Sequence, residues 1–347
     1  MPSSPAAPDP READEHPALI LANLGTPAEP RPRAVRSFLR EFLSDRRVVE
    51  MHPLLWRPVL EGIILRVRPR ASAAKYATVW RPGEETSRSG SPLMHYSERQ
   101  GELLQQELGE SVQVRIAMRY GQPALRRVMG ELMEAGCRRI ALLPLYPQYA
   151  ASSAGTVVDE AARFILASRN QPELRTVRSF ETAPAYIEAL ATALEQHWRV
   201  HGRPDPAAGE RLLLSFHSIP QAMHDAGDPY RAECERTVEL LSQRLNLPDG
   251  LAQLTFQSVF GPAAWIGPAT IDAVGELGSA GCPRLDVICP GFLSDCLETL
   301  EEINQLNRET FTTAGGGSFH YIPWGNDSDG AIATLAEQAR NVLAGWI

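Results

Sequence analysis

His217 is the first residue of this 347-residue chain whose type and position could do chemistry. It closes the run Leu212-Leu213-Leu214-Ser215-Phe216-His217-Ser218-Ile219-Pro220, where an apolar strand ends and a proline blocks simple continuation. Open α/β sheets bind ligands beyond the carboxyl ends of their strands. Imidazole titrates near neutrality and coordinates borderline metals, so His217 suits a base or a metal ligand. A histidine that merely hydrogen-bonds a loop carbonyl fits the position as well.

The second constellation is Cys289-Pro290-Gly291-Phe292-Leu293-Ser294-Asp295-Cys296-Leu297-Glu298-Thr299-Leu300-Glu301-Glu302. Ser294 is placed to cap a helix over 294–307, and an acidic first turn suits its dipole. Glu298 and Glu302, four apart, share a face, where like charges repel by roughly 0.2–0.5 kcal/mol. A cation or a proton pathway explains the pair. The alternative is a solvated acidic face, to which Glu301 is assigned.

Other strand ends carry rings and cations: Arg119-Tyr120, Tyr146-Pro147-Gln148-Tyr149, and Trp265 within Phe260-Gly261-Pro262-Ala263-Ala264-Trp265-Ile266-Gly267-Pro268. Converging rings suit a flat apolar ligand, although each taken singly fits a core position. Between Arg31 and Arg70, arginines outnumber acids and interleave with Leu54, Leu55, Trp56, Val59, Leu60, Ile63, Ile64 and Leu65. That segment reads as a cationic amphipathic surface for an amphiphilic acid or an anionic membrane, or as a helix packed on its own domain.

These residues need elements that hold them. Strands are expected near 18–24, 112–118, 139–146, 174–180, 212–216, 254–259, 285–289 and 319–322. Helices fall between them, near 35–43, 93–108, 123–135, 157–168, 186–200, 228–245, 271–278, 294–307 and 330–347. This alternation predicts an α/β protein of two doubly wound Rossmann-like domains with parallel sheets and a cleft between them. The expected boundaries are 17–180 plus 326–347 for the first domain and 181–325 for the second, with 1–16 disordered. No strong sequence repeat relates the halves. Neither GxGxxG after the first strand nor GxxxxGK[ST] occurs, and Gly315-Gly316-Gly317 precedes a strand, so no nucleotide site is expected.

The formal charge of −8 excludes a whole-chain cationic field for nucleic acid. Residues 1–17 lack a secretory apolar core, and no apolar run reaches membrane-spanning length, so a cytoplasmic protein is expected. Cys137, Cys234, Cys282, Cys289 and Cys296 form no CxxC pair and read as core thiols.

Taken together, the motifs resemble ferrochelatase, the family that inserts ferrous iron into a porphyrin at the end of haem synthesis. The resemblance runs nearly end to end. It rests on Asn23-Leu24-Gly25-Thr26-Pro27, Phe42-Leu43-Ser44-Asp45-Arg46, Gly90-Ser91-Pro92-Leu93, Leu143-Pro144-Leu145-Tyr146-Pro147-Gln148-Tyr149, the 215–220 run and the 289–303 segment. It implies a porphyrin cleft between two Rossmann-like domains and a terminal helix packed back on the first. It also implies catalytic and metal-binding roles for His217 and Glu298, which face each other across the ring. Leu24, Arg119, Tyr120, Trp265 and Glu302 then fall on substrate-binding positions.

Leu24 stands where the coproporphyrin-using branch places tyrosine, so the resemblance favours protoporphyrin IX with Fe2+ as the second substrate. The 54–65 segment corresponds to an apolar lip that meets the membrane in many members, which implies a transient, peripheral contact. Residues 81–89 look inserted relative to shorter relatives. No iron–sulfur cluster is expected, since no cysteine follows Cys296, and a monomer is the expectation. A non-catalytic haem carrier, or a chelatase for another tetrapyrrole or metal, would share the pocket.

Overall fold

The computed structural model describes residues 16–347 apart from Pro262, so the expectation for 1–16 lies outside the described residues except at His16. Among the described residues two parallel four-stranded sheets alternate with helices. The first holds β1 (Ala18–Asn23), β2 (Gln113–Met118), β3 (Arg139–Pro144) and β4 (Glu173–Thr176) in the order β2-β1-β3-β4. The second holds β5 (Arg211–His217), β6 (Ala252–Gln257), β7 (Arg284–Ile288) and β8 (Ser318–Ile322) in the order β6-β5-β7-β8. Each half therefore repeats one topology, which winds outward both ways from its first strand.

α1 (Pro32–Leu43), α2 (Pro53–Val59), α3 (Leu65–Val79) and α4 (Pro92–Leu108) separate β1 from β2. α5 (Leu125–Glu134) and α6 (Ala154–Ala167) flank β3, and α7 (Pro184–His201) joins the sheets. In the second half α8 (Gln221–Asp225) and α9 (Tyr230–Leu245) follow β5, and α10 (Thr270–Ser279) follows β6. A π-helix (Glu298–Asn307) runs into α11 (Arg308–Thr313) after β7, and α12 (Asp329–Leu343) follows β8.

The central strands are buried on both faces, so their apolar runs divide by alternation. Leu19 and Leu21 of β1 join the same core as Leu212, Leu214 and Phe216 of β5, together with Leu190 and Leu194 of α7 and Leu335 and Ala339 of α12. Ala18, Ile20 and Ala22 face α5 and α6. Leu213, Leu285 and Val287 face α10, α11 and the π-helix. One core thus joins the two halves, and polar clamps reinforce it. Gln100 Nε2 of α4 donates to Leu293 O and Asn326 O, and Gln148 Nε2 donates to Tyr186 Oη and Thr237 Oγ1. α12 packs on α7, α4 and β3.

Four expectations are corrected. The strand expected over 174–180 pairs with β3 only over Glu173–Thr176, and that pairing stops opposite Leu142 although β3 runs on to Pro144. The helix expected to start at Ser294 begins later and is a π-helix; Ser294 Oγ instead donates to Gln100 Oε1 at 3.3 Å. Glu301 is not a solvated acid, since it pairs with Lys75 Nζ at 2.9 Å. The last helix ends at Leu343, beyond which the Trp346 ring lies under the Arg175 guanidinium.

Candidate active site

The loops after β5, β6 and β7 converge because their strands are neighbours. His217 ends β5 in register with Gln257, the last residue of β6. Gln257 is buried among Ser215, Cys289 and the π-helix. Its Oε1 accepts from Ser215 Oγ at 2.8 Å and Cys289 Sγ at 3.6 Å, while its Nε2 donates to Glu298 O at 2.8 Å. A π-helix closes i→i+5 rings and is rare outside functional sites. Here side chains take up carbonyls of its first turns: Gln257 on Glu298 O, and Asn307 Nδ2 on Glu302 O at 2.7 Å.

Ser258 adopts φ 66°, a left-handed conformation uncommon for a residue with a side chain. That turn aims both its donors at Glu302: the backbone N–H reaches Oε1 at 2.6 Å and the hydroxyl reaches Oε2 at 2.5 Å. Burial raises the Glu302 pKa; the Ser258 hydrogen bonds and His217 pull it down, Glu298 pushes it up, and the net direction is upward. His217, Glu298 and Glu302 therefore share one electrostatic environment. His217 Nδ1 lies 2.5 Å from Ser218 O. A carbonyl only accepts, so Nδ1 carries a hydrogen, which in the neutral imidazole leaves the lone pair on Nε2.

The opposite wall comes from the first sheet and α3. Arg119 follows β2 and is almost buried; its guanidinium binds Asp45 and, through Nε, Thr156 O at 2.9 Å. Tyr120 Oη donates to the same Asp45 carboxylate at 3.0 Å, and burial lifts the phenol well above its ordinary range. Tyr76 and Tyr146 are also raised by burial, and both feel the Glu298 charge. The Tyr146 hydroxyl is buried without a hydrogen-bond partner. Leu24 is half-buried beside this wall, with its carbonyl accepting from Tyr120 N at 2.8 Å. Gly25 allows that approach: at φ 111°, a Cβ there would lie 1.8 Å from Tyr120 O.

Trp265 packs against Phe260 at 5.0 Å and bridges to Pro220, which ties its loop to the one that carries His217. Arg68 of α3 lies over Phe260, and Lys75 of α3 reaches Glu301, so α3 spans the mouth from one half to the other. The segment before it is divided by packing. Leu60 and Leu65 are buried with Leu43 and Trp56 packs against them, whereas Leu54, Leu55, Ile63 and Val67 are exposed. A separate cavity of about 550 Å³ lies beside the π-helix, lined by Trp80, Arg81, His95, Tyr96, Asp295 and Asn304.

The structure thus brings His217, Glu298 and Glu302 together on the second half, and Arg119 and Tyr120 on the first. Sequence reasoning missed Gln257, Ser258, Tyr76 and Asp45 as site residues. Asp45 stood inside a motif already singled out, but the other three carry signals too weak to find by type or spacing.

The two parallel four-stranded sheets, with a histidine at the end of β5 and paired acids on the helix after β7, form an architecture that solved chelatases share as a fold. Two solved structures of SirB share the fold. The one with Fe3+ from Bacillus subtilis superposes with TM-score 0.53 at 13% identity, over 73% of this chain and 92% of that one. The sirohydrochlorin chelatase from Bacillus subtilis subspecies spizizenii in complex with cobalt gives TM-score 0.53 at 11% identity, over 95% and 97%. The Ferrochelatase family matches residues 16–343, so this chain belongs to the ferrochelatase family. Ferrochelatases of Dechloromonas aromatica and Aromatoleum aromaticum are 49% and 48% identical over 95% and 96% of this chain and 88% and 89% of theirs. That of Methylobacillus flagellatus is 44% identical over 97% and 96%. The chain is accordingly a metal chelatase of the lyase class that inserts Fe2+ into a porphyrin for haem synthesis.

Proposed function

We propose that the porphyrin is protoporphyrin IX and that His217 and Glu298 divide the chemistry of insertion between them. Insertion breaks two pyrrole N–H bonds and makes iron–nitrogen bonds, so the site has to take up two protons and admit one divalent ion. His217 Nε2, with its lone pair free, accepts pyrrole protons as a general base. Glu298 attracts Fe2+, with His217 as a second contact for the ion, and Glu302 passes released protons onward along the π-helix. Arg119, Tyr120, Trp265 and Leu24 bind the macrocycle and its substituents. Leucine at position 24 supports protoporphyrin IX over coproporphyrin, following the resemblance above.

The observation that carries this reading is the placement of His217 in register with Gln257, whose Nε2 holds Glu298 O at 2.8 Å, so that the strand-end imidazole and the start of the acidic π-helix are tied to one residue. The test is an anaerobic absorbance titration of protein, protoporphyrin IX and Fe2+. Wild type converts free-base bands to haem, and His217→Ala binds the porphyrin without converting it. Glu298→Gln falls in rate by about 10²-fold or more, the usual contribution of a positioned acid or base. Unchanged turnover in His217→Ala removes the histidine from the chemistry, and band shifts without conversion in wild type favour a carrier.

The same reading takes the chain to be a cytoplasmic monomer, since one copy supplies both walls, and to work without an iron–sulfur cluster. The five cysteines are buried, spread over both halves and not joined in disulfides, which supports a reducing compartment. Leu54, Leu55, Ile63 and Val67, with exposed Arg57, Arg66 and Arg70 around them, support a transient contact with an anionic membrane surface. Among the described residues no helix is long and apolar enough to cross a membrane.

A further inference from the structure

On the other face of the second sheet lies a cluster that iron insertion leaves unused. Asp286 of β7 stands in register with His320 of β8, and both meet α7. His197 and His201, four apart on α7, share one helix face. The three imidazole centroids are mutually close: 4.4 Å for His197 and His201, 4.9 Å for His197 and His320, and 4.8 Å for His201 and His320. One donor atom each from His197, Asp286 and His320 lies within 4.8 Å of the others.

Asp286 is fully buried. Its Oδ2 accepts from Trp198 Nε1 and Arg284 Nη2, both at 2.8 Å, and its Oδ1 from Arg284 Nε at 2.9 Å. His320 Nδ1 lies 3.0 Å from the same Oδ1 and donates to it, so His320 Nε2 is free to act as a ligand. Arg284 is itself held by His201 O and Gly202 O. His197 Nε2 is buried without a hydrogen-bond partner, 3.8 Å from Asp286 Oδ1. A buried orphan nitrogen beside a carboxylate needs an explanation, and an ion supplies one.

We propose that His197 and His320, with His201 at the exposed edge and Asp286 holding His320 from behind, form a second site for a divalent transition-metal ion, distinct from the insertion site. Imidazole with carboxylate suits ions of the zinc, cobalt and iron kind. Asp286 can hold His320 in the ligating tautomer, the carboxylate–histidine–metal arrangement that orients ligands from behind. Separation from the insertion chemistry is built in. Asp286 is registered to Leu212, five residues before His217, or about 16 Å along the strands, and alternation sends the two side chains to opposite faces.

The test titrates Zn2+ alone into the full chain without porphyrin at pH 7.5, in competition with a chromophoric chelator. The expectation is a Zn2+ site that persists in wild type and in His217→Ala, but is lost or weakened at least tenfold in His197→Ala/His320→Ala. Circular dichroism shows whether the double variant folds; if it does not, His201→Ala and His320→Gln are read singly, with the same weakening expected. Co2+ gives an independent signature, visible absorption bands of a nitrogen-ligated ion that persist in His217→Ala and vanish in the double variant. Equal Zn2+ stoichiometry and affinity in wild type and the folded variants overturns the proposal. So does loss of the only bound ion in His217→Ala.

Discussion

Glu302 carries a raised pKa because burial and the nearby Glu298 charge outweigh two strong donations from Ser258 and the pull of His217. The unfolded carboxyl titrates near its ordinary value of about 4.3. Between that value and the raised one, the native state holds the proton that the unfolded state has released, so stability falls as pH rises through the window. Urea midpoints measured from about pH 4 to pH 7 should decline more steeply in wild type than in Glu302→Gln. Parallel profiles would show that the acid has no such environment. At this scale the sequence is partly readable: the i, i+4 relation of Glu298 and Glu302 is local and visible. The clamp on them is not, because Gln257 and Ser258 reach the π-helix only through sheet pairing.

The helices around the mouth separate two jobs that one segment of sequence mixes together. Trp56 donates to Leu43 O at 2.6 Å, and Leu60 and Leu65 close the small core beneath it, while Leu54 and Leu55 remain 76% and 67% exposed. A soluble surface gains nothing from those side chains, but each apolar group of that size entering a bilayer contributes roughly 1.5–3 kcal/mol. Cosedimentation with anionic phospholipid vesicles should fall at least tenfold for Leu54→Ser/Leu55→Ser, with the melting temperature nearly unchanged. Raising the salt concentration should weaken the wild-type interaction through Arg57, Arg66 and Arg70. Vesicle binding that is indifferent to both changes would remove the lip from any membrane role. The amphipathic pattern announced this element, yet which of its leucines faced outward depended on where α1 packs.

The two halves repeat one strand order without a strong sequence repeat, and a single core crosses from Leu19 and Leu21 to Leu212 and Leu214 through α7 and α12. Trp198 and Trp324 lie in that shared core, so in a variant whose other four tryptophans are replaced by Phe the fluorescence reports on the junction, and far-UV circular dichroism on the whole chain. The expected result in urea is one coincident transition by both probes, although chains of this size often unfold domain by domain. Two separated midpoints would mean that the halves are energetically independent. Gln100 and Gln148 should matter here more than their polar character suggests, because each joins backbone or side chains from distant parts of the chain.

Read alone, the chain reveals its α/β alternation, the strand end bearing His217 and the acids Glu298 and Glu302, because periodicity, breakers and short spacings are local properties. The three-dimensional arrangement was needed for the shared topology of the halves and for the π-helical winding around Glu298. It was needed also for the Lys75–Glu301 bridge and for the meeting of His197, Asp286 and His320. These depend on strand register and helix packing between residues far apart in the chain, and no local pattern encodes which distant side chains the folded core will bring into contact.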